Sequence, residues 1–120
     1  MQERPSNREI DKRIKEAKRT LQENDVIFAN PCKAMGEINA LNLRDTEELR
    51  PLVIDLLEEI NLQDYAGSCP PQRSYESSIS DCELWAFSWD SLRLGKRMYL
   101  KFAVKDSRFF LVSIHKSKKI

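Results

Sequence analysis

Histidine is nearly absent from this chain: His115 is the only one in 120 residues. Cysteine is sparse too, at Cys32, Cys69 and Cys82, and no two of them form a C-x-x-C pair. So few soft ligands at such spacings exclude an ordinary zinc site, and an odd count reads as reduced, partly buried thiols. Three glycines and five prolines exclude a collagenous or low-complexity chain. No stretch approaches the roughly 20 apolar residues that span a bilayer. The opening Met1-Gln2-Glu3-Arg4 is polar and does not read as a secretory signal. No internal repeat is present. These absences point to a small soluble domain of the cytoplasm. With 41% hydrophobic residues, residues 1–120 make one domain with a modest core.

What is present is charge, unevenly distributed. Residues 1–20 carry seven basic and four acidic groups, a net +3. Residues 21–90 carry four basic and fourteen acidic groups, a net −10. Residues 91–120 carry nine basic groups and one acid, Asp106, a net +8. The total of +1 therefore hides a cationic C-terminal surface of the kind that attracts phosphates. A solubilising tail is the plain alternative.

Residues 1–5 read as a flexible start and 6–61 as a helical half. Ser6 with Glu9 three residues on forms a capping box. Ile10, Ile14, Ala17 and Leu21 then make one apolar stripe of a first helix, which ends at Asn24-Asp25. Val26-Ile27-Phe28 is an extended connector or a small edge strand. Asn30-Pro31 opens a second helix with Ala34, Ile38 and Leu41 on one face, and residues 42–48 form a polar break. Leu49, Leu52, Val53, Leu56, Leu57 and Ile60 give a third helix a broad core-facing stripe, with Pro51 tolerated in its first turn. Residues 64–81 have no periodicity and read as a long loop. Three strands follow within 82–116: Glu83–Trp89, Met98–Val104 and Phe109–His115. Helices followed by a run of strands predict an α+β fold, with three N-terminal helices on one face of a small antiparallel C-terminal sheet.

Strand parity gives the sharpest inference. If Met98, Leu100, Phe102 and Val104 face the helices together with Phe110, Val112 and Ile114, then Tyr99, Lys101, Ser113 and His115 share the open face. A two-residue turn at Asp106-Ser107 would pair Lys101 with Val112 and break that pattern. An odd loop of three or five residues pairs Tyr99 with His115 and Lys101 with Ser113. Tyr99, Lys101 and His115 would then lie on one patch, with Lys116 and Arg97 nearby. Such a set suits RNA cleavage without metal. The reaction needs a base for the 2′-hydroxyl proton, cations for the charged phosphorane and an acid for the leaving 5′ oxygen. Imidazole serves as base or acid, lysine holds phosphate, and tyrosine stacks or donates a proton.

Several segments together resemble the MqsR family of toxins. They are Asp64-Tyr65-Ala66-Gly67-Ser68-Cys69-Pro70-Pro71-Gln72-Arg73, Leu84-Trp85-Ala86-Phe87, Met98-Tyr99-Leu100-Lys101 and Val112-Ser113-Ile114-His115. With the helical half, the resemblance covers residues 8–116. It implies a RelE-like fold and a metal-independent endoribonuclease, or mRNA interferase, without cofactor. Its partners would be mRNA and a cognate antitoxin that silences it, with no membrane; ribosome dependence stays open. By position, Tyr99 matches the family's strand tyrosine, and His115 or Lys116 its last basic residue. Two positions depart: Gly67 stands where the family has a loop lysine, and Ala86 where a glutamine follows the strand tryptophan. The phosphate-holding role passes to Arg73 or Lys101. The resulting assignment is Tyr99, His115 and Lys101 as catalytic residues, with Arg73, Arg97 and Lys116 binding substrate and no metal. A non-catalytic relative that binds RNA or protein through the same basic face is the competing reading, and an unrelated small enzyme a third.

Overall fold

A computed structural model describes residues 5–41, 48–68 and 71–117. The expectations for residues 1–4, for most of the polar break at 42–48, and for Cys69, Lys118 and Lys119 lie outside the described residues. The described residues form three α-helices, α1 (Asn7–Glu23), α2 (Pro31–Ala40) and α3 (Leu49–Glu59). Four strands, β1 (Ile27–Phe28), β2 (Trp85–Ser91), β3 (Lys96–Lys105) and β4 (Arg108–Lys116), complete an α+β architecture. No described helix is long and apolar enough to cross a membrane.

The first two helices begin where the sequence provides a cap, while α3 starts after Glu48 without a side-chain cap. The Ser6 hydroxyl accepts from the Glu9 amide at 3.1 Å, and the Asn30 side chain accepts from the Lys33 amide at 3.2 Å. Pro31 opens α2 at a position whose N–H has no intrahelical partner. The stripe of α1 (Ile10, Ile14, Ala17, Leu21) and that of α3 (Leu49, Leu52, Val53, Leu56, Leu57) are buried as their spacing predicts. They face a layer of strand side chains: Trp85, Phe87 and Trp89 from β2, and Met98, Leu100 and Phe102 from β3. Three phenylalanines make a row across the strands, with Phe87 on Phe102 at 6.0 Å and Phe102 on Phe109 at 5.1 Å between ring centroids.

The sheet order is β1-β4-β3-β2. The β2–β3 and β3–β4 pairs are antiparallel as expected, but β1 pairs in parallel with β4 through Ile27 opposite Phe110 and Phe28 opposite Leu111. The sheet is therefore mixed. This short parallel contact launches α2 along the outer edge of β4. There Glu37 accepts a hydrogen bond from the Ile114 amide at 3.2 Å, so a side chain takes the place of a missing fifth strand.

The connection between β3 and β4 departs from expectation. Asp106 and Ser107 form a two-residue turn with φ of 52° and 61°, the left-handed geometry of tight hairpins, and Lys105 pairs with Arg108. The register then shifts by one residue between Lys101 and Phe102, leaving Val112 as an extra residue in β4. A β-bulge, not an odd loop, reconciles the parities. Its consequence is that Phe109, Leu111 and Ile114 join the helix-side core. Phe110 and Val112, expected on that side, instead belong to a second cluster with Ala29, Ile79, Leu84 and Ala103.

That second cluster covers the far face of the sheet near the hairpin turn. It is roofed by the segment expected to be a plain loop, which is tied down by its backbone. Leu84 donates to the Gln72 carbonyl at 2.7 Å, and Ser74 donates to that of Cys82 at 3.0 Å. Ile79 is fully buried within it. Only the other half of this face stays open.

Beyond the open half, Glu59 pins the β2–β3 connection. Its carboxylate accepts from Trp89 Nε1 at 3.0 Å, Ser91 Oγ at 2.7 Å and the Arg93 amide at 2.7 Å. Burial raises its pKa, but these hydrogen bonds outweigh burial and hold the carboxyl below its ordinary value of 4.5. A lowered folded pKa gives stability that is present above the unfolded value and lost as pH falls through the folded one. Glu59→Gln should cost about 1–3 kcal/mol in urea unfolding near neutral pH and flatten the loss of stability on acidification below 4.5. Deleting Val112 should leave a regular ladder with Tyr99 still opposite His115. Persistence of the cross-strand NOEs between those rings in the deletion variant is the expected result.

Candidate active site

On the open half of the face, Tyr99 lies directly opposite His115, and Lys101 opposite Ser113. The Tyr99 and His115 rings stack at 5.0 Å with 20° between their planes. Lys101 Nζ sits 6.0 Å from the centre of the Tyr99 ring. The bulge positions this group: it turns Ile114 into the core and leaves Ser113 and His115 on the side of Tyr99 and Lys101.

The His115 Nδ1 lies 2.9 Å from the Lys116 carbonyl oxygen. A carbonyl only accepts, so Nδ1 donates and, in the neutral ring, Nε2 carries the free lone pair. Burial raises the Tyr99 hydroxyl above its ordinary value, so it holds its proton and acts as a donor. Lys101 is pushed below its ordinary value, first by burial and then by the charge of Lys33.

Lys33 is the residue that sequence reasoning missed. Its ammonium donates to Ser113 Oγ at 2.5 Å across 80 positions of sequence. No spacing or motif marks it. It reaches the face because β1 runs parallel to β4 and delivers the first turn of α2 to the β4 edge.

The other expected site residues are placed differently. Arg97 shares the side of Tyr99 but pairs with Asp90 at 3.3 Å. Lys116 sits opposite Met98, on the helix side of the sheet and not with Tyr99, because the same parity that puts His115 on the open face turns its neighbour away. Arg73 donates to the Asp81 carbonyl at 2.9 Å within the roofing segment, and its backbone pairs with that of Glu83 in an isolated antiparallel β-bridge. Tyr65 packs its ring against Trp85 and Phe87 and donates its hydroxyl to the Ser68 carbonyl at 2.6 Å. This posture accounts for Gly67, where a β-carbon would fall 2.6 Å from the Tyr65 hydroxyl. A lysine there would force the ring to move. Ala86, opposite Lys101, is 1% exposed and adds no polar group.

Among the described residues no group of three or more His, Cys, Asp or Glu is placed to hold a metal ion. No family model, no curated protein and no solved structure matches the chain.

Because Lys33 contributes to the depression of Lys101, removing its charge should move Lys101 upward. In Lys33→Met, the Lys101 titration followed by NMR at the side-chain nitrogen should shift to higher pH. An unchanged titration would mean that burial alone sets it.

Proposed function

We propose that the open face binds and cleaves single-stranded RNA, as an endoribonuclease toxin with a RelE-like arrangement of helices behind the sheet. The observation that carries this reading is the Tyr99–His115 stack set beside Lys101 and Lys33. It combines a proton-transfer group, cations and an aromatic surface in one patch. In the reaction, His115 Nε2 takes the proton of the 2′-hydroxyl. The O2′ oxygen attacks the adjacent phosphorus, and the bond from phosphorus to O5′ breaks. Lys101, its pKa lowered, gives a proton to the departing O5′. The products are a 2′,3′-cyclic phosphate and a 5′-hydroxyl end, and the protein regains its starting charge when proton exchange with water resets the two groups. Tyr99 stacks on a base or donates to a phosphate oxygen. The family resemblance adds mRNA as the cellular substrate, a cognate antitoxin as the silencing partner and the cytoplasm as the location.

A second reading, binding without cleavage, draws support from the arginines. Arg97 and Arg73 are engaged by Asp90 and by the Asp81 carbonyl, which leaves fewer cations for a charged transition state.

The deciding measurement is cleavage of unstructured RNA in the presence of a metal chelator. Wild-type protein should yield 2′,3′-cyclic phosphate ends. His115→Ala should slow cleavage by about 10²–10⁴ while leaving RNA affinity within a few-fold. Tyr99→Phe keeps the ring and should lose only the hydroxyl's share. A loss of under tenfold for a folded His115→Ala protein rejects histidine catalysis, and no cleavage by wild type supports the binding reading.

A further inference from the structure

Lys33 donates to the buried Ser113 hydroxyl, and Lys101 stands opposite Ser113 on the neighbouring strand. Lys33 comes from the first turn of α2, Lys101 from β3, and Ser113, 3% exposed, lies at the floor between them. The ordinary helical partner of Lys33 is an acid four residues on, and Glu37 occupies that position. Yet Glu37 accepts from the Ile114 amide at 3.2 Å and is spent on the β4 edge. Among the described residues neither Lys33 nor Lys101 has a carboxylate within ion-pair distance, while Arg13, Lys15, Lys18, Arg50, Arg93 and Arg97 each have at least one. Lys33 gives up side-chain freedom to bond a neutral hydroxyl beside a second positive charge. Such an arrangement is stabilised when an anion arrives from outside.

We propose that Lys33, Lys101 and Ser113 form a phosphate subsite beside the Tyr99–His115 pair, occupied by a phosphodiester of a single-stranded nucleic acid. The inference rests on the RNA reading of this face and adds a positioning residue, Lys33, to it. The donors suit a tetrahedral anion. Because Ser113 Oγ accepts from Lys33, its own hydrogen is free to donate, and the two ammonium groups supply the other directions. A planar carboxylate offers only two oxygens to three donors. The strand is single because a base in a duplex stays stacked on its neighbours and has no free face for the Tyr99–His115 pair.

The test uses full-length protein and a fluorescent 2′-O-methyl oligoribonucleotide, which carries phosphates but lacks the attacking hydroxyl. Its affinity is measured by anisotropy across a range of salt, beside an oligoglutamate of equal charge. Lys33→Met should weaken oligonucleotide binding several-fold at low salt. It should also reduce the magnitude of the log–log salt slope by about 0.7, one phosphate contact on a single strand. Lys33→Arg should restore the slope. Lys101→Met gives a second measure if Lys33→Met does not fold, and near-UV circular dichroism reports folding. An unchanged slope in folded variants overturns the subsite, and so does equal binding of oligoglutamate with the same loss on Lys33→Met. Because the probe cannot be cleaved, the result is independent of catalysis: inactive wild type with a normal Lys33 effect rejects the nuclease and keeps the subsite.

Discussion

The position of one residue, Val112, governs both the core and the open face. β3 alternates without interruption, so Met98, Leu100 and Phe102 all point at the helices. The two-residue turn fixes where β4 begins. A regular ladder from that turn would set Leu100 opposite Ser113 and Tyr99 opposite Ile114. Ser113 and His115 would then enter the helix-side core, and Ile114 would leave it. Burying a hydroxyl and an imidazole without partners, and exposing an isoleucine, together cost several kcal/mol. One extra residue reverses the faces of everything beyond it. The bulge thus lets Phe109 and Leu111 pack near the turn, and Ile114 pack farther along, while the polar residues between them face outward. The stacked Tyr99–His115 pair is a by-product of a packing requirement.

This explains which features were legible. The stripes of α1 and α3 and the alternation of β2 and β3 follow one period throughout, and each side chain lies where that period puts it. β4 is different, because Phe109, Phe110, Leu111 and Val112 are consecutive and apolar, and no alternation exists to read. Assigning Phe110 and Val112 to the helix side required an odd loop, since a two-residue turn at Asp106-Ser107 would pair Lys101 with Val112. The pairing of Tyr99 with His115 came out the same because a bulge and a longer loop shift the register equally. Lys116 was misassigned for want of the same parity argument applied one residue further. Val26-Ile27-Phe28 was legible as a small edge strand, but its parallel pairing and Lys33 were beyond reach, since a two-residue strand has no period and an 80-residue contact leaves no local trace.

The roofing segment decides how much of the far face is available. Ile79, Leu84 and Phe110 close the half near the turn with apolar contacts, and the backbone bonds of Ser74 and Leu84 keep the cover in place. At its start, Tyr65 closes back toward Trp85 and Phe87, which is where Gly67 is needed. The cation beside Lys101 comes from α2, on the opposite side of the sheet from the β2 edge that Tyr65 borders.

Charge along the chain and charge in space also differ. The acidic middle segment folds back on the basic ends: Asp55 meets Arg93, Asp90 meets Arg97 and Glu83 lies 3.8 Å from Arg13. Exposed pairs of this kind contribute little stability, but they engage Arg93 and Arg97, two of the nine basic residues of the C-terminal segment. Arginine is the better partner for a carboxylate because its planar fork matches two oxygens, whereas an ammonium is a compact point charge that reorients readily. Among the described residues four arginines, with Lys15 and Lys18, take carboxylate partners, and Lys33 and Lys101 do not. At Ser113 one of them is bound inward and held beside another. The cations gathered on this face are thus set by where Lys33 and Lys101 sit and not by the net charge of residues 91–120, since Lys33 lies outside that segment.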